Sequence, residues 1–111
     1  MTKKSITLRD IRNHLDTRHL VASLSADGTL MIEGQDLGRS VEQTFGDGNR
    51  EYEWVWTIRS ENMSHLLSAL DAGDDVLTAL AARFSNDAAA ELKPFLDEWE
   101  IPHECWSRIG D

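Results

Sequence analysis

Apolar and polar positions alternate over residues 19–33. Leu20, Ala22 and Leu24 stand between His19, Val21 and Ser23, and Leu30 and Ile32 alternate with Met31 and Glu33. A period of two is the mark of a strand with one buried face. Asp27-Gly28 between the two runs supplies the left-handed backbone of a tight turn, so the segment predicts a β-hairpin. A further strand is predicted over 51–59, where Tyr52, Trp54, Trp56 and Ile58 share one face and Glu51, Glu53, Thr57 and Arg59 the other, with Val55 as the exception. Val41, Gln43 and Phe45 give a weaker hint of a strand between these two, in a stretch (34–50) holding Gly34, Gly38, Gly46 and Gly48.

Helical spacing takes over elsewhere. Met63, Leu66, Leu67 and Leu70 recur at i, i+3, i+4 and i+7 behind a capping Ser60, with Gly73 as the stop. A second helix is predicted from Asp74 or Asp75, whose carboxylates suit the positive end of the helix dipole, burying Val76, Leu77, Leu80, Ala81 and Phe84. A third is predicted from Asn86 or Asp87 through Leu92, Phe95 and Leu96 to Trp99, broken or kinked near Lys93 because Pro94 lacks a backbone donor. Near the start, Thr7 with Asp10 resembles a cap, and Leu8, Ile11 and Leu15 fall on one helical face, which predicts a short helix over about 8–15. His103 to Ile109 reads as a last strand. Together these elements predict one α+β domain over residues 1–111. It has an antiparallel sheet of about four to five strands, helices packed on one face, and residues 1–17 as an N-terminal helical arm.

Length agrees with that single unit: 111 residues make one core, and 41% hydrophobic with 28% charged residues, 7 Gly and 2 Pro describe an ordinary folded chain. Charge changes the picture more. The net charge is -9, which repels nucleic-acid backbones and anionic membranes alike. Residues 1–18 carry five bases (Lys3, Lys4, Arg9, Arg12, Arg18) against Asp10 and Asp16, or +3, so the other 93 residues carry 18 acids and 6 bases, or -12. The longest hydrophobic run is the four residues Ala79–Ala82, far short of the roughly 20 needed to cross a bilayer. A lone Cys105 and an opening rich in Lys and Arg, with no apolar leader, point to the cytosol.

Candidate chemistry is sparse. His14, His19, His65, His103 and Cys105 include no C-x-x-C or H-E-x-x-H spacing, so no metal and no cofactor are expected. His103 and Cys105 pair poorly as base and nucleophile, because Glu104 between them opposes a thiolate. The acid pairs Glu51 with Glu53, Asp74 with Asp75, and Asp97 with Glu98 lie in polar contexts that do not split their acidities, so no catalytic residues are expected. Gly46-Asp-Gly48 is followed by Asn49 and Arg50 where a phosphate loop would need Lys and Ser or Thr before a helix.

The feature that carries most weight is the acidic, aromatic-rich strand. Glu51 and Glu53 on its wet side, beside Glu33 or Asp36 of the hairpin's second strand, would form a broad anionic patch suited to a cationic protein partner. Ile32-Glu-Gly-Gln-Asp-Leu-Gly38, Glu51-Tyr-Glu-Trp54 and Gly73-Asp-Asp-Val-Leu77 resemble a widespread group of small, mostly uncharacterised bacterial proteins, over about residues 18–109. That resemblance implies no reaction. In size, acidity and layout the chain is also similar to immunity proteins of bacterial toxin systems, which implies binding and blocking of a toxin, often a basic nuclease. The expectation is therefore a non-enzymatic binding protein using Glu33, Asp36, Glu51 and Glu53. The alternatives are a small-ligand binder or enzyme with a pocket between sheet and helices near His65, His103 or Cys105, and an oligomer that buries its outer sheet face.

Overall fold

The computed structural model describes residues 4–46, 48 and 50–110, with only the backbone of Ser40. Lys3 of the basic segment and Asp47 and Asn49 of the glycine-containing loop lie outside the described residues. The chain runs β1 (Lys4–Arg12), β2 (Asp16–Leu24), β3 (Leu30–Gly38), α1 (Arg39–Phe45), β4 (Glu51–Ile58), a 3₁₀ turn (Ser60–Asn62), α2 (Met63–Ala69), α3 (Val76–Arg83), a second 3₁₀ segment (Asn86–Glu91), α4 (Leu92–Glu98) and β5 (Glu104–Gly110). The five strands form one antiparallel sheet in the order β1-β2-β3-β4-β5. The α+β architecture follows from the two periods in the sequence. Leu8, Leu20, Ala22, Leu30, Ile32 and Ile58 on one sheet face meet Leu66, Leu80, Leu92, Leu96 and Ile101 from the helical side in a single core. None of the described helices is long and apolar enough to cross a membrane.

Two expected elements are different in the structure. Residues 8–15 are not a helix: residues up to Arg12 belong to β1 and 13–15 form the turn into β2, where Asn13 Oδ1 accepts from the backbone N–H of Leu15 and of Asp16, both at 2.9 Å. The helix-like spacing is a β-bulge. Thr7 pairs with Val21 but Arg9 pairs with Leu20, so Leu8 is the extra residue and the alternation slips by one. Ile6, Leu8 and Ile11 thus all lie on the helix-facing side although the last two are three residues apart. Burying Leu8 is worth ~1.5–3 kcal/mol, against ~0.5–1.5 kcal/mol for a lost ladder hydrogen bond, so the bulged register wins.

The second difference is at Val41, Gln43 and Phe45, which belong to α1 rather than to a strand. Val41 and Phe45 are one helical turn apart, Val41 is buried, and Phe45 packs on Tyr52 with ring centroids 5.2 Å apart. Gly38 allows the reversal into α1: its φ is 117°, and a Cβ there would meet the Leu15 carbonyl oxygen at 2.1 Å.

Other expectations hold with adjustments. The hairpin is present in full register from Leu24↔Leu30 to Asp16↔Gly38. Its loop is five residues long, Ser25 to Thr29; only Gly28 takes positive φ (87°), and Asp27 accepts from the Thr29 N–H at 3.0 Å. Asp75 caps α3, accepting from the Thr78 N–H at 3.1 Å and the Thr78 hydroxyl at 2.7 Å. The break before α4 falls between Glu91 and Leu92, which places Pro94 in the first turn, where its missing N–H has no partner to lose.

Candidate functional site

The described helices lie against one side of the sheet, and no described element covers the opposite side. Register fixes what it displays. One cross-strand row runs Thr7, Val21, Glu33, Val55, Trp106, and the next runs Asp10, His19, Gln35, Glu53, Arg108. Between them lies a depression of about 500 Å³ whose walls include His19, Val21, Glu33, Glu53, Val55 and Trp106. It reaches from β1 to β5, so the open face is concave. Trp106 is 52% exposed, a large apolar ring at one rim.

The four expected binding residues do not share this face. Glu33, Glu51 and Glu53 do. Asp36 is on the other side, in phase with Leu30, Ile32 and Gly34. The spacing explains it: positions 33 and 36 differ by an odd number, and a regular strand sends them to opposite faces. Under α1, Asp36 meets Arg9 at 3.7 Å, with side chains 25% and 11% exposed. Asp36 Oδ1 and Arg9 Nε have no hydrogen-bond partner. Burial pushes the Asp36 carboxyl above its ordinary value, and Arg9 and Arg18 draw it only part of the way back. A depression of about 230 Å³ beside it is lined by Arg18, Val41, Phe45 and Tyr52 among others.

Nor is the open face broadly anionic. Arg108 donates through Nη2 to Glu51 at 2.5 Å and to Glu53 at 3.2 Å, and Gln35 Nε2 donates to Glu51 at 3.4 Å. The hydrogen bond between the two glutamates raises the Glu51 carboxyl above its usual value and holds Glu53 below it, with Arg108 adding to the latter. Around this quartet, His19 Nδ1 lies 3.6 Å from Asp10 and Arg59 lies 2.9 Å from Glu104. Glu33 is exposed and has no ion-pair partner among the described residues, standing between Val21 and Val55. Most of the excess acid is elsewhere: residues 59–103 carry nine acids and three bases, or -6 of the total -9.

The residues weighed for an enzyme are dispersed. His65 is exposed on α2, and Cys105 is exposed on β5. The His103 side chain is 8% exposed; Nδ1–H donates to the Ile101 carbonyl at 2.7 Å and Nε2 accepts from Lys93 at 3.0 Å, which ties α4 to the start of β5. A depression of about 460 Å³ between β1, β2 and the start of α3 contains none of the three. Among the described residues no group of three or more His, Cys, Asp or Glu is placed to hold a metal ion.

Two features of the open face escape a reading of the acids alone: Trp106 as an exposed aromatic ring, and Arg108 as the base that neutralises Glu51 and Glu53. The alternation Glu104, Trp106, Arg108 was their signal. The fold and this face define a small α+β protein whose antiparallel meander is covered on one side only. Comparison with family models, with curated proteins and with solved structures finds no match.

Proposed function

We propose that the chain is a non-enzymatic acidic binding protein of the bacterial cytosol, an immunity protein that neutralises a cationic toxin by direct complex formation and needs no cofactor. The observation that carries this reading is the uncovered concave face, with Trp106 at its rim and, in its wall, Glu33, which has no ion-pair partner among the described residues. An exposed Trp at the rim of a hollow that also holds a carboxylate two strands away is the composition of an interface hot spot, where an aromatic anchor supplies apolar area and a charge selects the partner. The net charge of -9, concentrated on the helical side, raises the encounter rate with a basic protein without having to form the contact itself. Glu51, Glu53 and Arg108 then act as a polar rim that a basic side chain can enter by displacing Arg108.

The test is co-expression of this chain with the product of each adjacent gene, followed by calorimetry on any complex. The expected result is a one-to-one complex with a basic domain, weakened at least tenfold by Glu33→Arg and by Glu53→Arg, with the melting temperature of the free variants unchanged. Absence of a complex with every basic neighbour, or a complex indifferent to both substitutions, overturns the proposal.

A further inference from the structure

The two edges of the sheet are treated differently. β1 is a protected edge: it carries the Leu8 bulge, begins with Lys4, and packs against α3 and the 86–91 segment. Bulges, edge lysines and covering elements are the usual means of keeping an exposed ladder from pairing with another chain. β5 has none of them. Its register against β4 is unbroken from Glu104 to Gly110, every residue from Glu104 to Ile109 is exposed, and Trp106 and Ile109 are 52% and 45% exposed. Among the described residues no strand pairs with its outer edge.

We propose that β5 pairs antiparallel with β5 of a second copy, about a two-fold axis perpendicular to the sheet that passes midway between the two Trp106 residues. The side chains argue for a copy of the same chain. On the open face β5 presents Glu104, Trp106 and Arg108 in that order. Antiparallel self-pairing centred on Trp106 sets each Glu104 opposite Arg108 of the second copy, twice, and the two Trp106 rings opposite one another. On the other face each Cys105 stands opposite Ser107 of the second copy. An acid–aromatic–base alternation is its own complement when reversed, which a strand designed to face solvent has no need to be. The strand is also charge-neutral, so the seam joins without like charges although each copy carries -9. Arg108 is free to take part: both of its bonds within the copy use Nη2, which leaves the rest of its donor fork. The axis keeps both open faces on one side, making a continuous ten-stranded surface. At ~3.4 Å per residue the seam is short beside a typical ~1,600 Å² interface, so the dimer is reversible.

Sedimentation of the purified full chain from micromolar to millimolar concentration tests this. The expected result is a concentration-dependent shift to twice the monomer mass. E104R alone and R108E alone each place two like-charge pairs at the seam and weaken dimerisation at least tenfold. An equimolar mixture of E104R and R108E restores it as a mixed dimer, which a variant that had merely misfolded would not do. Oxidation of Ser107→Cys yields a covalent dimer linked between 105 and 107. A monomer at every concentration, a dimer indifferent to both single variants, a mixture that stays monomeric, or a 105–105 link overturns the proposal. A dimer lost in Glu33→Arg but not in E104R overturns it in favour of pairing through the open face.

Discussion

Gly34 makes a sharp prediction because two general effects of adding one methyl group there have opposite signs. The residue sits in the β3 ladder opposite Trp54, and its backbone does not require positive φ. On backbone grounds alone, Gly34→Ala stiffens the unfolded chain and stabilises the fold by ~0.4–1 kcal/mol. The site has no room for it. A Cβ would lie 2.1 Å from Trp54 Cε2 and Cζ2 and 2.7 Å from Nε1. Carbon atoms in contact sit ~3.5–4.0 Å apart, so the indole must retreat by roughly 1.4 Å or more. It has nowhere to go: Trp54 is 8% exposed and flanked by the rings of Tyr52 and Trp56, at 5.1 and 6.2 Å between centroids. Overpacking of this kind costs ~1–3 kcal/mol, which exceeds the backbone gain. Net destabilisation of ~1–2 kcal/mol is expected, or on the order of 5–10 °C in Tm for a chain of this size, read by circular dichroism on heating and by urea titration. In a Trp54→Leu background the ring is absent and the same substitution becomes neutral or stabilising. A Gly34→Ala protein that melts at or above the wild type, or an equal loss in both backgrounds, refutes the reasoning.

Two further predictions follow from the carboxylates. Asp75→Ala removes the acceptor for both the N–H and the hydroxyl of Thr78, so it lowers Tm while Asp75→Asn retains most of the stability; equal melting of the Ala and Asn variants counts against the cap. Thr78 holds the Asp75 carboxyl below its usual value, so the part of the loss owed to the charge is present at neutral pH and is removed as the pH falls through that lowered value. Asp36 has the opposite sign. Burial raises it above 3.8, so its charge weakens the fold at neutral pH and ceases to do so as the carboxyl protonates. Asp36→Asn therefore melts above the wild type at pH 7, and the two converge as the pH falls toward 3.8; a lower Tm at pH 7 would show that the Arg9 pair outweighs burial.

Most of the fold was legible because most of it obeys a single period. The hairpin, the aromatic strand β4 and helices α2 and α3 each repeat their apolar residues at one spacing for two turns or a full strand. The misreadings fall where a local event changes the phase. At Leu8 an extra residue converts a spacing of two into three, and nothing within β1 separates that from a helix; the deciding interaction is the pairing with β2, which is not local. At Val41 and Phe45 a spacing of four was present, but Gln43 between them also fits a strand, and the choice is made by Gly38 turning the chain under Leu15. For the open face, Glu33, Glu51 and Glu53 were recoverable by alternation alone. Asp36 was excludable by the same rule, since it stands three positions from Glu33.

The bulge connects these observations. After Leu8 the phase of β1 is reversed, so Arg9 points beneath the sheet instead of out of it. There it lies 3.7 Å from Asp36, which is in phase with the core positions of β3, a pairing that offsets only part of the burial of either charge. The same slip sends Asp10 outward beside His19. Without the bulge Arg9 would stand on the open face, one row from Glu33, and would offset the carboxylate that the proposed partner needs to find unpaired. By leaving Leu8 out of the ladder, the bulge thus keeps a positive charge off the concave surface and holds it on the helix side, near Asp36 and Arg18. The chemistry of the open face is therefore set at a position that does not lie on it. Deleting Leu8 removes the extra residue while Arg9 keeps its place opposite Leu20 and Asp10 its place opposite His19, so the open face should be unchanged and the loss confined to the core contact of Leu8, read as a lower Tm.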